Sequence, residues 1–402
     1  MYADDIALIT PSKETTQAAL NLLQEWTVQW HMSFNVSKCG CIHYSPLLST
    51  FNLTINNQPL PIVQHYKYLG IYFHKSTTFD FHFEKLSAKL LATSNQLIPI
   101  LKNRFIPTEN QITIIKERLI NKYNYAIETW GADPVIQNKL QIILNKSLRR
   151  IIGGHYTCST WALLTELNIP HVKTSYKRGL LGLASRLFHS SQPIPLWASN
   201  STIPDAQLES FPLAYGQKLL RQQELLPLTK LPLKKHRTKW FSKWKRQHTF
   251  AIIKHKATLP NAPKGLKKYL TFLEQHEHVK ETPPKFSYIN SIIKIPTDDP
   301  DITRDFIIRP MAINAIIKIR TFNYPFMPIL KHRYPPNKLS NKCLLCSLNQ
   351  TESLHHILTQ CTAYDNLQRH FGTHYIVGQK QWLIFLGLQQ RCSELLRHST
   401  HR

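Results

Sequence analysis

The period of apolar and polar positions changes several times along the chain, and each change predicts an element. Ile6-Ala7-Leu8-Ile9-Thr10 is a short β-prone run closed by Pro11-Ser12, which predicts the second strand of a hairpin turning at Ala3-Asp4-Asp5. From Ser12 the period lengthens. Ala19, Leu22, Leu23, Trp26 and Trp30 fall at helical spacing, so Ser12 is expected as the N-cap and both tryptophans as core. Strand-like patterning returns at Phe34–Cys39, at Cys41–Tyr44 and at Phe51, Leu53 and Ile55, with Asn56-Asn57 as a turn. Tyr66–Phe73 reads as a strand with Gly70 at its centre, where a bulge or a close backbone approach is expected.

From Phe79 to about Ile152 the pattern is helical. His82, Leu86, Leu90 and Leu97 mark one helix, Ile112, Ile115, Leu119 and Tyr123 a second, and Leu140, Ile143, Leu144, Leu148 and Ile151 a third. His82 sits on the apolar face and reads as structural. Lys139, Lys146, Arg149 and Arg150 decorate the third helix, either as a nucleic-acid face or as a solvated one. Leu163–Pro170 and a helix near Tyr176–Phe188 follow. Pro193, Pro195, Pro204, Pro212, Pro227 and Pro232 then punctuate the chain, predicting short helices and loops.

Charge adds a partner to this picture. The 402 residues hold 50 Lys plus Arg against 24 Asp plus Glu, a net charge of +26 spread along the whole length. Such an excess points to a polyanion, because neutralising phosphates releases counterions. The seven cysteines, at 39, 41, 158, 343, 346, 361 and 392, do not read as a disulfide framework, which argues for a reducing, intracellular compartment. No apolar run approaches the roughly 20 residues needed to cross a bilayer, and no secretory leader is visible.

Three stretches carry candidate chemistry. Adjacent carboxylates at a turn, Asp4 and Asp5, are a way to hold a divalent cation; a solvated turn is the plainer reading. Cys343, Cys346, His356 and Cys361 have the spacing C-x2-C-x9-H-x4-C, in which two sulfurs share a knuckle turn and the other two donors close a structural zinc site. His355 competes with His356 for the fourth position. Lys234–Arg246 mixes cations with aromatics, including Lys235, Arg237, Trp240, Trp244 and Arg246. Phosphate contact with base stacking on Trp240 or Trp244 would suit single-stranded RNA; a nuclear-localisation patch and a surface helix that buries its tryptophans compete. There is no Walker loop, H-E-x-x-H or G-x-S-x-G.

In order, Tyr2-Ala3-Asp4-Asp5, an amphipathic helix, Phe34-Asn35-Val36-Ser37-Lys38-Cys39, strands and Tyr66-Lys67-Tyr68-Leu69-Gly70-Ile71-Tyr72-Phe73 resemble the last third of the palm of a non-LTR (LINE-like) retrotransposon reverse transcriptase. The resemblance implies an α+β fold: a truncated palm sheet, 1–78, then a helical thumb and post-thumb region, 79–190. A basic, proline-punctuated connector, 191–305, and a helical C-terminal region with a zinc knuckle, 306–402, would follow. It implies that Asp4 and Asp5 bind Mg²⁺, that Lys38 lies near the incoming dNTP, and that the Tyr68-Leu69-Gly70 hairpin grips the primer. The third helix would track the template-primer duplex. An Arg-containing helix, here Ile316–Thr321 with Arg320, and Glu352 four residues before His356 also match the family's knuckle.

The partners so implied are an RNA template, a DNA primer and dNTP, with no membrane, in nucleus or cytoplasm. The family places another metal-binding aspartate and the fingers upstream of Tyr2. The chain is therefore expected to be a C-terminal fragment, inactive as a polymerase alone. The alternative is a non-catalytic nucleic-acid-binding remnant; an intron maturase-like protein shares the palm motif but not the knuckle.

Overall fold

The computed structural model describes residues 4–44, 52–103, 105–154, 158–188 and 234–277, scattered positions at 216–219 and 314–321, and most of 341–365. Tyr2, Ala3, Phe51, most of the proline-punctuated stretch from 190 to 233, Arg320, His355 and Cys392 lie outside the described residues. What is described is mostly helical with two small antiparallel sheets, which is compatible with the α+β class. Two compact units divide it, residues 1–91 and residues 92–402.

In the first unit, helix α1 (Lys13–Gln29) starts as the sequence predicts. The Ser12 side chain accepts from Thr15 N and Thr15 Oγ1 accepts from Ser12 N, a reciprocal capping box. Strands β1 (Thr54–Ile55) and β2 (Gln58–Pro59) pair across Asn56-Asn57, both in the left-handed region at φ 52° and 57°, which asparagine tolerates better than most residues. Leu20, Leu53 and Ile55 form a buried cluster with Phe34, Val36 and Cys41 against it. Gln17 locks helix to hairpin, its Nε2 donating to Thr54 O and its Oε1 accepting from Thr54 N, both at 2.9 Å.

Two expectations fail here. Ile6–Thr10 forms no strand, and Ile9 is 98 % exposed; among the described residues no strand lies beside it, and a ladder needs a neighbour. The α1 tryptophans are not core either. The helix carries two adjacent apolar stripes, and the hairpin covers the one through Leu20, leaving Trp26 and Trp30 exposed, Trp30 by 62 %.

The predicted strand Tyr66–Phe73 is instead a hairpin of β3 (His65–Tyr68) and β4 (Ile71–His74), with Leu69-Gly70 as its two-residue turn. Helix α2 (Asp80–Gln96) follows. Its His82 is buried and accepts from Tyr72 N through Nδ1 at 3.3 Å, and burial lowers its pKa, with Lys89 adding to the shift, so it is a packing residue as expected.

The second unit is a helical assembly: α3 (Ile98–Lys102), α4 (Thr108–Ile115), a π-helical turn (Lys116–Ile120), α5 (Asn121–Asn124), α6 (Ile127–Trp130) and α7 (Pro134–Ile151). α8 (Thr160–Glu166), α9 (Val172–Phe188), α10 (Lys234–Thr258) and α11 (Lys264–Glu277) complete it. Leu140, Ile143, Leu144, Leu148 and Ile151 of α7 are all buried, as their spacing predicts. Asp133 caps α7 by accepting from Val135 N at 2.7 Å, with Pro134 at the first turn. Buried glutamines tie the loops: Gln137 donates to Gly131 O, and Gln141 accepts from Val172 N.

Candidate functional site

Asp4 and Asp5 stand at a turn and at an isolated bridge position, and both are exposed. Lys38 closes a 3₁₀ turn, Val36–Lys38, and is exposed too. Tyr66 joins these segments. Its hydroxyl donates to the Lys38 carbonyl, and its pKa is raised first by burial and then by the charges of Cys39 and Asp5. Gly40 makes the contact possible, because a Cβ there would lie 3.0 Å from the Tyr66 ring. Asp5, Lys38 and Tyr66 thus share one neighbourhood. The sequence reading missed Tyr66, although it lies two residues before Tyr68 and so on the same face of the strand.

The hairpin that follows pairs Tyr66 with Phe73 and Tyr68 with Ile71. Its turn residues have φ 45° at Leu69 and 84° at Gly70, the double left-handed geometry of a two-residue hairpin turn. Glycine adopts this freely; leucine does so at a cost on the order of 1 kcal/mol.

On α7, Lys139 and Lys146 are exposed. Arg149 and Arg150 turn inward: Arg150 Nη1 donates to Ser94 O and Ser94 Oγ, both at 2.8 Å, and Arg149 Nη2 to Cys158 O at 3.4 Å. On α10, Trp240, Trp244 and His248 stack at successive turns, with centroids 6.4 Å and 4.9 Å apart. Trp244 is only 6 % exposed and Trp240 is half-buried, so this helix buries one tryptophan in its packing. Arg246 is half-buried, and α10 also carries Lys235 and Arg237, whose side chains lie outside the described residues.

The knuckle gathers its four candidate donors. The ligand atoms of Cys343, Cys346, His356 and Cys361 all lie within 4.8 Å of one another, and no other such group occurs among the described residues. Cys343 and Cys361 sulfurs are 3.8 Å apart, and Cys346 Sγ is 3.3 Å from His356 Nε2. Local backbone bonds hold this geometry. Lys342 bridges Thr351, Cys343 N donates to Gln350 O, and Cys361 N donates to His356 O at 2.7 Å. Ser353 Oγ accepts from His356 N, capping the turn that presents the imidazole. Gln350 Oε1 accepts from His356 Nδ1, which leaves Nε2 as the ring's lone-pair donor. Burial pushes the Cys361 thiol up to about 11, with the neighbouring cysteines adding to it. No disulfide joins the six described cysteines. No described helix is long and apolar enough to cross a membrane.

No protein-family profile matches the chain. No solved structure matches it either. Curated relatives do. The chain is 30 % identical over 181 residues to the RNA-directed DNA polymerase from mobile element jockey of Drosophila funebris, covering 42 % of this chain and 20 % of that protein. To the jockey polymerase of Drosophila melanogaster it is 27 % identical over 181 residues, 42 % of this chain and 19 % of the relative. A probable RNA-directed DNA polymerase from transposon X-element of Drosophila melanogaster is 26 % identical over the same length, with 42 % and 20 % covered. The aligned region thus spans about a fifth of each relative's length.

Proposed function

We propose, starting from homologues that are polymerases of jockey and X-element mobile elements, that this chain carries the palm end, thumb and C-terminal knuckle of a non-LTR retrotransposon reverse transcriptase. The likeness to the jockey polymerases is the observation that carries this reading. In the intact centre a primer 3′-hydroxyl attacks the α-phosphate of a dNTP on an RNA template, and bound Mg²⁺ activates the hydroxyl and stabilises the leaving pyrophosphate. Asp4 and Asp5 supply two carboxylates to that centre, and the nearby Lys38 faces the nucleotide. The Tyr68-Leu69-Gly70 turn contacts the primer. Lys139 and Lys146 face the duplex, and Lys235, Arg237 and Trp240 add contacts from α10. Arg149 and Arg150 brace helices, and Trp244 belongs to the packing, as their buried partners indicate.

The knuckle holds zinc. Zn–S bonds of about 2.3 Å and a Zn–N bond of about 2.0–2.1 Å at tetrahedral angles space two sulfurs about 3.8 Å apart and sulfur from nitrogen about 3.6 Å. The 3.8 Å between the Cys343 and Cys361 sulfurs matches the first edge and the 3.3 Å from Cys346 Sγ to His356 Nε2 is shorter than the second, within a donor set gathered inside 4.8 Å. With all four positions filled by protein, the role is structural.

A second reading has its own support. The knuckle donors are preassembled, whereas among the described residues no third metal-ligating side chain joins Asp4 and Asp5. Fixing two ions about an in-line displacement takes more than one pair of carboxylates. The 402-residue polypeptide is therefore expected to bind nucleic acid without polymerising. Primer extension on an RNA template with Mg²⁺ should give no product, while a labelled RNA is bound with an affinity that falls steeply with salt. That binding should persist in an Asp4→Ala, Asp5→Ala variant. Extension that disappears in this variant would show a working centre and sink the inactive reading; salt-insensitive binding would sink the nucleic-acid one.

A further inference from the structure

Four cations line a cleft in the second unit together with three carboxylates, and among the described residues none of the four is in an ion pair. This cleft of about 680 Å³ opens between the π-helical turn after α4, the loop after α8, α9 and α10. Lys116, Arg178, Lys245 and Arg246 line it, one from the π turn, one from α9 and two from α10. Lys245 is held below its ordinary pKa by burial and by the charges of Arg178 and Lys116, and Lys116 by burial. Lys245 therefore feels the repulsion of both Arg178 and Lys116. Glu109, Glu117 and Glu166 share the cleft, but Glu166 accepts from Tyr269 Oη and Glu117 from Asn121 Nδ2. Among the described residues no ion pair joins a carboxylate to any of the four cations.

Two further observations mark the cleft as built for a ligand. Thr165, more than nine-tenths buried, lines it with a hydroxyl that has no hydrogen-bond partner, and Glu109 Oε1, Arg246 Nε and Asn124 Oδ1 are buried and unpartnered there as well. Buried polar atoms are nearly always satisfied, so these orphans among the lining residues mark an unmet hydrogen-bonding demand at the cleft wall. The helix that supplies Lys116 also departs from α geometry at that residue, and π turns inside helices recur at functional sites. Ile112, Ile169 and Phe250 form the apolar side of the cleft.

We propose that this cleft seats the sugar-phosphate backbone of a nucleic-acid strand, its phosphates on Lys116, Arg178, Lys245 and Arg246 and its sugars against the apolar wall. The site extends the nucleic-acid reading above and rests on it. It moves the main electrostatic contact from the exposed face of α7 to a recess between π turn, α9 and α10. The four cations stand on three separate elements around the cleft, so successive phosphates of a strand can each meet one.

Fluorescence polarisation of a labelled single-stranded oligoribonucleotide on the full chain tests this, with tripolyphosphate as competitor. A Lys116→Gln, Lys245→Gln variant should bind about 10- to 100-fold more weakly, with its salt slope reduced by about two. A Lys267→Gln, Lys268→Gln variant on the exposed face of α11 removes the same charge and should change affinity little. The cleft variant should melt no lower than wild type, since it removes half-buried like charges; if it unfolds, Arg178→Gln, at an exposed position, decides by losing about one unit of slope. Equal losses in the α11 and cleft variants, or RNA binding unchanged when the cleft is altered, would overturn the site while leaving the nucleic-acid reading intact. Tripolyphosphate binding, followed by calorimetry and lost in the cleft variant, that leaves the RNA polarisation unchanged at saturation would assign the cleft to a free phosphate and overturn it too. Failure of the wild-type chain to bind RNA at any salt would remove the reading itself.

Discussion

Cys361→Ser is expected to strip the knuckle of its metal and melt it. Purified chain should carry one zinc by atomic absorption, and the Cys361→Ser and Cys343→Ser variants should carry none after dialysis against a chelator that leaves wild type loaded. The reason is geometric. Cys361 is fully buried and its sulfur stands 3.8 Å from that of Cys343, so losing one thiolate removes a quarter of the shell and leaves a hydroxyl in an apolar site. The knuckle has little else to hold it: a single-residue bridge between Lys342 and Thr351, a few backbone bonds and a short 3₁₀ turn at Thr362–Tyr364. In so small a unit the free energy of metal binding is folding free energy. Gln350→Ala gives the graded result. It leaves four donors but frees His356 Nδ1, and zinc affinity should fall about 10- to 100-fold in a competition titration. Full zinc retention in Cys361→Ser would exclude the site.

Acid should loosen the helical unit at a pH where most surface groups are still in their neutral-pH state. His171 and His248 are both held down to about 4, in each case mainly by burial. Lys173 adds to His171; Lys177, Lys173 and His171 add to His248. The imidazoles are locked as neutral partners. His171 stacks on Trp161 at 5.1 Å and accepts from Lys173 N through Nδ1, and His248 Nδ1 meets Thr174 Oγ1 at 3.0 Å. Thr249 donates to Thr174 and accepts from His171 N, closing the network.

An unfolded histidine titrates near 6.5, so between about 6.5 and 4 the unfolded chain binds protons that the folded chain refuses. Stability from this pair is therefore complete above about 6.5, is lost as pH falls toward 4, and levels off below that. Each group contributes on the order of 2–3 kcal/mol, discounted for its partial exposure. Urea titrations at pH 7 and pH 5 should show the midpoint falling, and His248→Gln, which keeps a hydrogen-bonding side chain beside Thr174, should flatten the slope. A midpoint independent of pH across that window would contradict the assignment.

Neither effect could be anticipated equally well. The knuckle was readable because its four donors lie close in the chain and a two-residue gap between cysteines has few geometries. The histidine network joins residues 171 and 174 to residues 248 and 249, a separation across which periodicity carries no information. Trp244 shows the same limit. Its mixture of aromatic and basic neighbours fits a base-stacking surface and a buried helix alike, and only the packing of α10 distinguishes them. Trp26 and Trp30 erred in the opposite direction, since an apolar stripe shows that a helix can be covered without showing which of two stripes the neighbour takes.

Signals confined to a few residues were therefore settled along the chain: the Ser12 cap, the Asn56-Asn57 turn, the buried faces of α2, α4 and α7, and the knuckle spacing. These depend on backbone dihedrals and on hydrogen bonds to atoms a few residues away, which local composition controls. The Leu69-Gly70 turn sits at the edge of that class, read first as a strand because a central glycine permits a bulge as well as a reversal. Tertiary packing settled the rest: Tyr66 bonded to the Lys38 carbonyl within reach of the Asp5 charge, Arg150 turned inward to Ser94, and the gathering of Lys116, Arg178, Lys245 and Arg246 around one cleft. Charge and burial act through space, so the cost of holding those cations together has no trace in their spacing along the chain and exists only once the helices have packed.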